Sequence, residues 1–134
     1  MSSHPLDPLS EDEFRATTAI LRRDAEVSDA WRFASIEMQE PAKSVVKAWR
    51  EGDTIPRRSL SVLWNKETNE TYEVVVDLAA DRVASWTHKP GVTPNFTVDE
   101  YHECDEAMRV HPDVISKLNG RGVTKQWMTL STMD

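Results

Sequence analysis

Five side chains in this sequence are best able to hold a transition metal, which proteins bind mainly through imidazole and thiolate groups. They are His4, His88, His102, His111 and Cys104. His102 and Cys104 lie two residues apart, so on a helix they point to different faces, whereas a spacing of four would place them on one. The spacing therefore favours solvated or packed histidines. A small metal enzyme built on the four histidines is the least favoured hypothesis.

Cys104 is the single cysteine, so the chain cannot form an intrachain disulfide and a reducing compartment fits best. A cysteine nucleophile needs a nearby base and a lowered pKa. Glu103, Asp105 and Glu106 surround Cys104 with negative charge, which disfavours the thiolate. We therefore expect Cys104 to pack on the apolar stripe of a helix.

Two pairs of adjacent acids, Asp99–Glu100 and Asp105–Glu106, carry the groups needed for acid–base catalysis. Adjacent acids near the start of a helix more often interact with its dipole. A solvated helix face is therefore expected, and the residues indicate no catalytic, cofactor-binding or metal site.

The tryptophans are further candidates for recognition, because tryptophan is enriched at binding hot spots. They are Trp31, Trp49, Trp64, Trp86 and Trp127. Four of them fall within predicted strands, so packing in a core or between domains is expected for most. Trp49, in a short connecting segment, is the one expected to be exposed.

The composition of the 134 residues, with 39% hydrophobic and 29% charged, is typical of a folded globular protein of one domain, or of one domain and part of another. A net charge of −7 disfavours nucleic acid and anionic membranes, because phosphate binding depends on clustered Lys and Arg. The first residues lack the pattern of a signal peptide, and no apolar run is long enough to span a bilayer. We expect a cytoplasmic protein, with a peroxisomal location as the alternative.

The elements that position these residues begin with a helix. Ser10 can accept a hydrogen bond from Glu13, and Glu13 can return one, which is a capping box. Leu9 and Phe14 occupy the flanking apolar positions. Residues at helical spacing then form one apolar stripe: Phe14, Thr17, Thr18, Leu21 and Ala25. A stripe on one face requires a flat partner.

Four β-rich runs follow and supply that partner. They cover residues 31–38, 59–64, 72–78 and 82–87, with a short helix predicted at 42–51. The second and third runs flank a polar stretch and are predicted to form a hairpin. The predicted fold class is therefore α+β, with one helix packed on a four-stranded antiparallel sheet.

The opening pattern repeats after a linker predicted at 89–95, which contains two prolines and a glycine. Thr97 and Glu100 make a second capping box. The stripe that follows is formed by Tyr101, Cys104 and Met108.

This second unit is predicted to continue with a helical turn restarted at residues 111–113 and a strand at Gln126–Leu130. One strand is too little sheet to cover both sides of the apolar stripe on the helix. The second unit therefore has the features of the first helix and strand of a similar fold, truncated before its remaining strands.

Several stretches resemble the copper-containing amine oxidases. Residues 67–107, ETNETYEVVVDLAADRVASWTHKPGVTPNFTVDEYHECDEA, resemble the segment that joins the two small amino-terminal domains of that family. The opening HPLDPLSEDEF and the run IEMQEPAKSVVKAW resemble the same region. The likeness extends to about Val123, whereas Lys125–Asp134 departs from the family pattern.

The resemblance implies that each small domain is a cystatin-like unit, one helix on a four-stranded antiparallel sheet. Residues 1–92 would be the first amino-terminal domain, and residues 93–134 the truncated start of the second. The resemblance further implies an amino-terminal fragment whose partners are the missing catalytic domain of the parent oxidase and a second copy in a homodimer.

Full-length members of the family oxidise primary amines to aldehydes, releasing ammonia and hydrogen peroxide, with copper and a topaquinone made from one of their own tyrosines. The family places that tyrosine in a Thr-x-x-Asn-Tyr motif and holds copper partly through a His-x-His pair. Neither motif occurs here, and the only tyrosines are Tyr72 and Tyr101. The resemblance therefore implies an enzyme family but an inactive, non-catalytic segment that binds no cofactor.

A different class of function is the chief alternative. A free-standing helix-on-sheet module could bind a protein partner through its acidic surface or through the stripe of Tyr101, Cys104 and Met108, because exposed apolar area promotes association. A strictly monomeric chain with an ordered second unit would favour this alternative.

Overall fold

The structure is a computed structural model that describes residues 4–123. These residues fall into two compact units that divide between Asn95 and Phe96. The first unit contains α1 (Glu11–Asp24), β1 (Trp31–Met38), α2 (Lys43–Ala48), β2 (Arg58–Asn65), β3 (Glu70–Asp77) and β4 (Arg82–His88). The second contains α3 (Val98–Val110) and α4 (Pro112–Gly120).

Helix α1 begins with the predicted capping box. Ser10 Oγ accepts a hydrogen bond from the Glu13 amide at 3.3 Å, and the Glu13 carboxylate accepts one from the Ser10 amide at 2.8 Å. The first turn is acidic and the last turn contains Arg22 and Arg23, so both ends complement the helix dipole. Local chemistry alone therefore favours a helix here.

The buried face of α1 differs from the predicted stripe. Thr17, Ile20 and Leu21 are buried, whereas Phe14 is 39% exposed. At 3.6 residues per turn, these three side chains centre the buried face near Thr17, roughly 60° around the helix from Phe14. The predicted stripe was therefore wrong at Phe14 and omitted Ile20.

The four strands form an antiparallel sheet in the order β1-β2-β3-β4, so the predicted fold class is confirmed. Pairing of Leu63 with Tyr72 and of Ser61 with Val74 places these residues on the face that meets α1. Alternation along the strands buries Leu63, Val74 and Val76 completely. Irregular register between Phe33 and Ser35, and between Val75 and Val76, marks bulges in the edge-strand pairings.

Helix α1 lies across one end of the sheet. Thr17 Oγ1 and Ser59 Oγ share a hydrogen bond of 2.8 Å, and Arg23 Nη1 donates to the Asp81 carboxylate at 2.8 Å. Ser59 lies at the start of β2, and Asp81 lies in the turn before β4. Both anchors are therefore at the same end, where β2 and β4 begin.

The segment before α1 is held by Arg57. Its guanidinium forms an ion pair with Glu13 and donates to the carbonyls of Asp7 and Pro8 at 2.9 Å each. Because Arg57 directly precedes β2, these bonds tie the start of the chain to the sheet. Arg57 therefore has a structural role.

Helices α3 and α4 form the described part of the second unit. The Thr97–Glu100 capping box starts α3 as predicted, and Pro112 starts α4. No residue of either helix is buried, and Cys104 is exposed, so the expectation of a packed Cys104 was wrong. No apolar surface within residues 96–123 covers it. The predicted strand Gln126–Leu130 lies outside the described residues.

Two matched substitutions test the polar part of the core. Ser59 and Ser61 are both fully buried, but Ser61 Oγ has no hydrogen-bond partner whereas Ser59 Oγ bonds to Thr17. We expect Ser59→Ala to lower the free energy of unfolding by about 1 kcal/mol and Ser61→Ala to leave it unchanged or raise it. Urea denaturation measures both, and equal losses for the two variants would contradict the assignment.

The Glu13–Arg57 pair predicts an acid-dependent stability. The bond from Arg57 is the largest cause that lowers the pKa of Glu13 below its ordinary value of 4.5. The folded pKa is therefore below the unfolded one, so the stabilisation is complete above about pH 5 and is lost as the pH falls through the folded pKa.

We expect Glu13→Gln to cost roughly 1 kcal/mol at pH 7 and to flatten the loss of stability below pH 5. Glutamine retains an oxygen for the capping box, so the change isolates the charge. The control is Asp12→Asn, because Asp12 is the neighbouring acid in the same helical turn and makes no ion pair with Arg57. Urea unfolding from pH 3 to pH 7 provides the comparison, and the same slope in wild type and Glu13→Gln would refute the assignment.

Candidate functional site

The histidines make separate contacts. His4 packs edge-on against Trp49 with ring centroids 4.9 Å apart, and His88 lies 5.0 Å from Tyr72. His111 lies between α3 and α4. Within residues 4–123, no group of three His, Cys, Asp or Glu side chains could hold a metal ion.

The paired acids lie in helix α3, and two of them bond to groups of the same helix or its cap. Glu100 completes the capping box, and Asp105 forms an ion pair with Arg109 at 2.6 Å one turn later. Such contacts support a helix and do not position a proton donor and acceptor on a common substrate.

The most concentrated chemistry in the first unit is an aromatic cluster formed by Trp31, Tyr72, Trp86 and His88. Trp31 lies 5.4 Å from both Tyr72 and Trp86, and Tyr72 lies 5.3 Å from Trp86, between ring centroids. Sheet register assembles it, because Tyr72 pairs with His88, and Trp86 pairs with the buried Val74. Trp31, Tyr72 and Trp86 are half-buried and His88 is exposed.

Glu70 adds a carboxylate beside this cluster. Its Oε2 accepts hydrogen bonds from Thr68 Oγ1 and from the Tyr72 hydroxyl, each at 3.0 Å. The Thr68 bond, followed by the Tyr72 bond, holds the pKa of Glu70 below its ordinary value, and the same Glu70 contact raises the pKa of Tyr72. Glu70 Oε1 is 3.9 Å from His88 Nε2. The site therefore presents an ionised carboxylate near neutral pH.

A recess of about 310 Å³ opens beside Glu70 and His88. The segment that follows β4 forms one wall and is bonded to β3. Lys89 N donates to the Thr71 carbonyl at 2.8 Å, and Thr71 Oγ1 donates to the Val92 carbonyl at 2.7 Å. It is lined by Asn69, Glu70, Thr71, His88, Lys89, Pro90, Gly91, Val92 and Thr93. The arrangement lacks an activated nucleophile but can bind a positive charge.

The sequence predicted only parts of this site. Trp31 and Trp86 were expected to pack, and both are half-buried, whereas Trp127 lies outside the described residues. Trp49, expected to be exposed, is half-buried and donates to the Asp53 carbonyl at 3.1 Å. Glu70 was not recognised, although its two-residue spacing from Tyr72 places both side chains on one face of a strand.

Three comparisons with known proteins agree. A family model described as the N2 domain of copper amine oxidases matches residues 4–89. The chain belongs to the copper amine oxidase family. Its matched segment ends one residue after β4, so it includes the whole helix-on-sheet unit.

Relatives in the copper amine oxidase family are much longer. A primary amine oxidase of Arthrobacter sp. (strain P1) is 39% identical over 123 residues, which cover 91% of this chain and 18% of that protein. A peroxisomal copper-containing diamine oxidase of Nicotiana tabacum is 32% identical over 155 residues, covering 90% and 20%. The chain therefore spans about a fifth of the length of these relatives.

A solved structure supports the fold. A copper-containing benzylamine oxidase from Hansenula polymorpha matches with a TM-score of 0.71 and 19% identity, over 87% of this chain and 19% of that one.

Copper does not fit residues 4–123, because they offer no cluster of three metal-binding side chains. Among the described helices, none is long and apolar enough to cross a membrane.

The Glu70–Tyr72 bond can be tested directly. We expect Tyr72→Phe to raise the pKa of Glu70 toward 4.5, because it removes one of the hydrogen bonds that favour the carboxylate. Carboxyl-carbon NMR titration measures the change, and Tyr101→Phe in the second unit is the control. An unchanged Glu70 titration in Tyr72→Phe would show that the two groups are uncoupled.

Proposed function

We propose that this chain is the amino-terminal part of a longer copper- and topaquinone-dependent primary-amine oxidase, in which it serves as non-catalytic support and interface. The observation that carries the proposal is the family match over a segment that is only about a fifth of its relatives.

The proposed domain division places the first amino-terminal domain at residues 1–92 and the start of a second at 93–134. The division of the described residues between Asn95 and Phe96 supports a boundary in this region. The two capping boxes, at Ser10 and Thr97, support two units that open in the same way.

The proposed interface begins with the second unit. Its exposed apolar side chains are Phe96, Val98, Tyr101, Met108, Val110 and Ile115. Apolar surface of this kind marks contact with another protein surface. Its proposed partner is the remainder of the parent oxidase, and the parent itself is proposed to form a homodimer.

The proposed parent reaction converts a primary amine and oxygen to an aldehyde, ammonia and hydrogen peroxide, with copper and topaquinone supplying the redox chemistry. The proposed location is the cytoplasm or the peroxisome. The single cysteine supports a reducing compartment, and two Nicotiana tabacum relatives are named as peroxisomal.

A free-standing interaction module is the second candidate. It is favoured by the first unit, whose core closes between α1 and the sheet without any residue beyond Asn95. The two candidates differ in what the second unit needs, because a self-sufficient module would not require further chain to cover α3.

An activity assay tests the non-catalytic role. We expect the 134-residue chain, incubated with copper and either methylamine or benzylamine, to release no hydrogen peroxide above a copper-only blank. The Arthrobacter primary amine oxidase provides the positive control. Amine-dependent peroxide from this chain would refute the proposal, because the chemistry would then reside in these residues.

Sedimentation tests the proposed interface. We expect the wild-type chain to self-associate with increasing concentration, and the double variant Tyr101→Ser, Met108→Ser to shift toward monomer, because it removes exposed apolar area. Leu6→Ser, which changes a 44% exposed residue of the first unit, is the control. A strictly monomeric wild type with ordered α3 and α4 would favour the free-standing module.

A further inference from the structure

The hydrogen bonds that anchor α1 lie at one end of the sheet. An eight-residue strand is roughly 26 Å long, whereas a helix with its side chains is about 10 Å wide. Since α1 crosses at the end marked by Ser59 and Asp81, it covers only part of the strand length. Val27, 5% exposed, belongs to the same core. The aromatic cluster lies at the opposite end.

The core face therefore carries a set of aromatic rings, Trp31, Tyr72 and Trp86, that pack against the edge of the core and remain half-buried. Trp31 starts β1 opposite Asn65, and His88 ends β4 opposite Tyr72. The faces of such rings carry negative electrostatic potential, so they attract cations as well as apolar groups.

The charge beside the rings is also negative. Glu70 uses Oε2 for the two hydroxyl donors, while Oε1 has His88 Nε2 at 3.9 Å, which is longer than a hydrogen bond. Lys89, the nearby cation along the chain, bonds to Glu73 at 2.6 Å. The Glu70 side chain is 42% exposed, so a ligand from solvent can reach it.

We propose that the aromatic cluster and Glu70 bind an organic cation, a primary ammonium or a guanidinium group, with the charge on Glu70 Oε1 and the carbon chain against the rings. A metal ion is disfavoured, because only Glu70 and His88 meet here and the described residues hold no three-ligand group. An anion is disfavoured by the carboxylate. The recess of about 310 Å³ adjoins this site at Glu70 and His88, and the three rings lie outside its lining.

This inference does not rest on the proposed function, because it depends only on residues of the first unit. The same chemistry has two sources: a free amine, or the lysine or arginine side chain of a neighbouring polypeptide. A titration with both kinds of probe distinguishes them.

The experiment follows the indole N–H signals of the 134-residue chain by NMR during titration with n-butylammonium, and separately with N-acetyl-lysine amide and N-acetyl-arginine amide. We expect saturable shifts at Trp31 and Trp86, with Trp49 as the internal reference. Tighter binding of n-butylammonium assigns a free amine, and tighter binding of a blocked amino acid assigns a polypeptide side chain. n-Butanol, which lacks the charge, is expected to give no comparable saturation.

Two variants locate the site. Glu70→Gln keeps an oxygen for Tyr72 and removes the charge, and we expect it to weaken cation binding roughly fivefold or more. Glu67→Gln, in the same hairpin turn, is the matched control and is expected to bind as wild type. Trp86→Leu, with its fold checked by circular dichroism, is expected to weaken binding as well. Shifts that do not saturate, equal shifts with n-butanol, or unchanged affinity in Glu70→Gln would overturn the proposal.

Discussion

Burial of one helix face on one sheet face is the interaction on which the first unit depends. Ile20 and Leu21 of α1 pack against Leu63, Val74 and Val76, and each of these side chains is at most 2% exposed. Complete burial of each such side chain contributes roughly 1.5–3 kcal/mol. A fully buried threonine and serine are accommodated in this interface because they bond to each other. The position of α1 therefore decides which part of the sheet is core and which part remains accessible.

The accessible part of the sheet is aromatic and acidic, and the same geometry explains why. Because the bonds that anchor α1 lie at one end of the sheet, the rings of Trp31, Tyr72 and Trp86 border the core at the other end, where they contact one another and stay half-buried. Hydroxyl donors on one oxygen of Glu70 hold its pKa below the ordinary value, and the other oxygen lies 3.9 Å from His88 Nε2. A surface for recognition thus follows from incomplete helix coverage, with no catalytic machinery required.

Local signals in the sequence were sufficient to predict much of the fold. Both capping boxes involve groups three residues apart, so Ser10 and Thr97 could be identified without tertiary information. The bounds of β1 agree with the predicted run because Pro41 and the preceding polar residues limit it. Phe14 and Cys104 were misjudged because exposure depends on how a helix is rotated and on what covers it.

The candidate site was harder to predict. Trp31, Tyr72 and His88 come from three strands, and only the sheet register brings them together. Glu70 is one acid among 23 acidic residues, so its role becomes visible only when Tyr72 and Thr68 are placed on its carboxylate. The family resemblance did not indicate the site either, because the family motifs considered, Thr-x-x-Asn-Tyr and His-x-His, do not occur in this sequence.

Native-state hydrogen exchange tests most directly the central claim that the first unit closes its own core and the second unit does not. The account predicts that the amides of Leu63, Val74 and Val76 exchange only through global unfolding, whereas those of α3 and α4 exchange through local opening at much lower free energy. Protection across residues 98–120 equal to that of the sheet would contradict it.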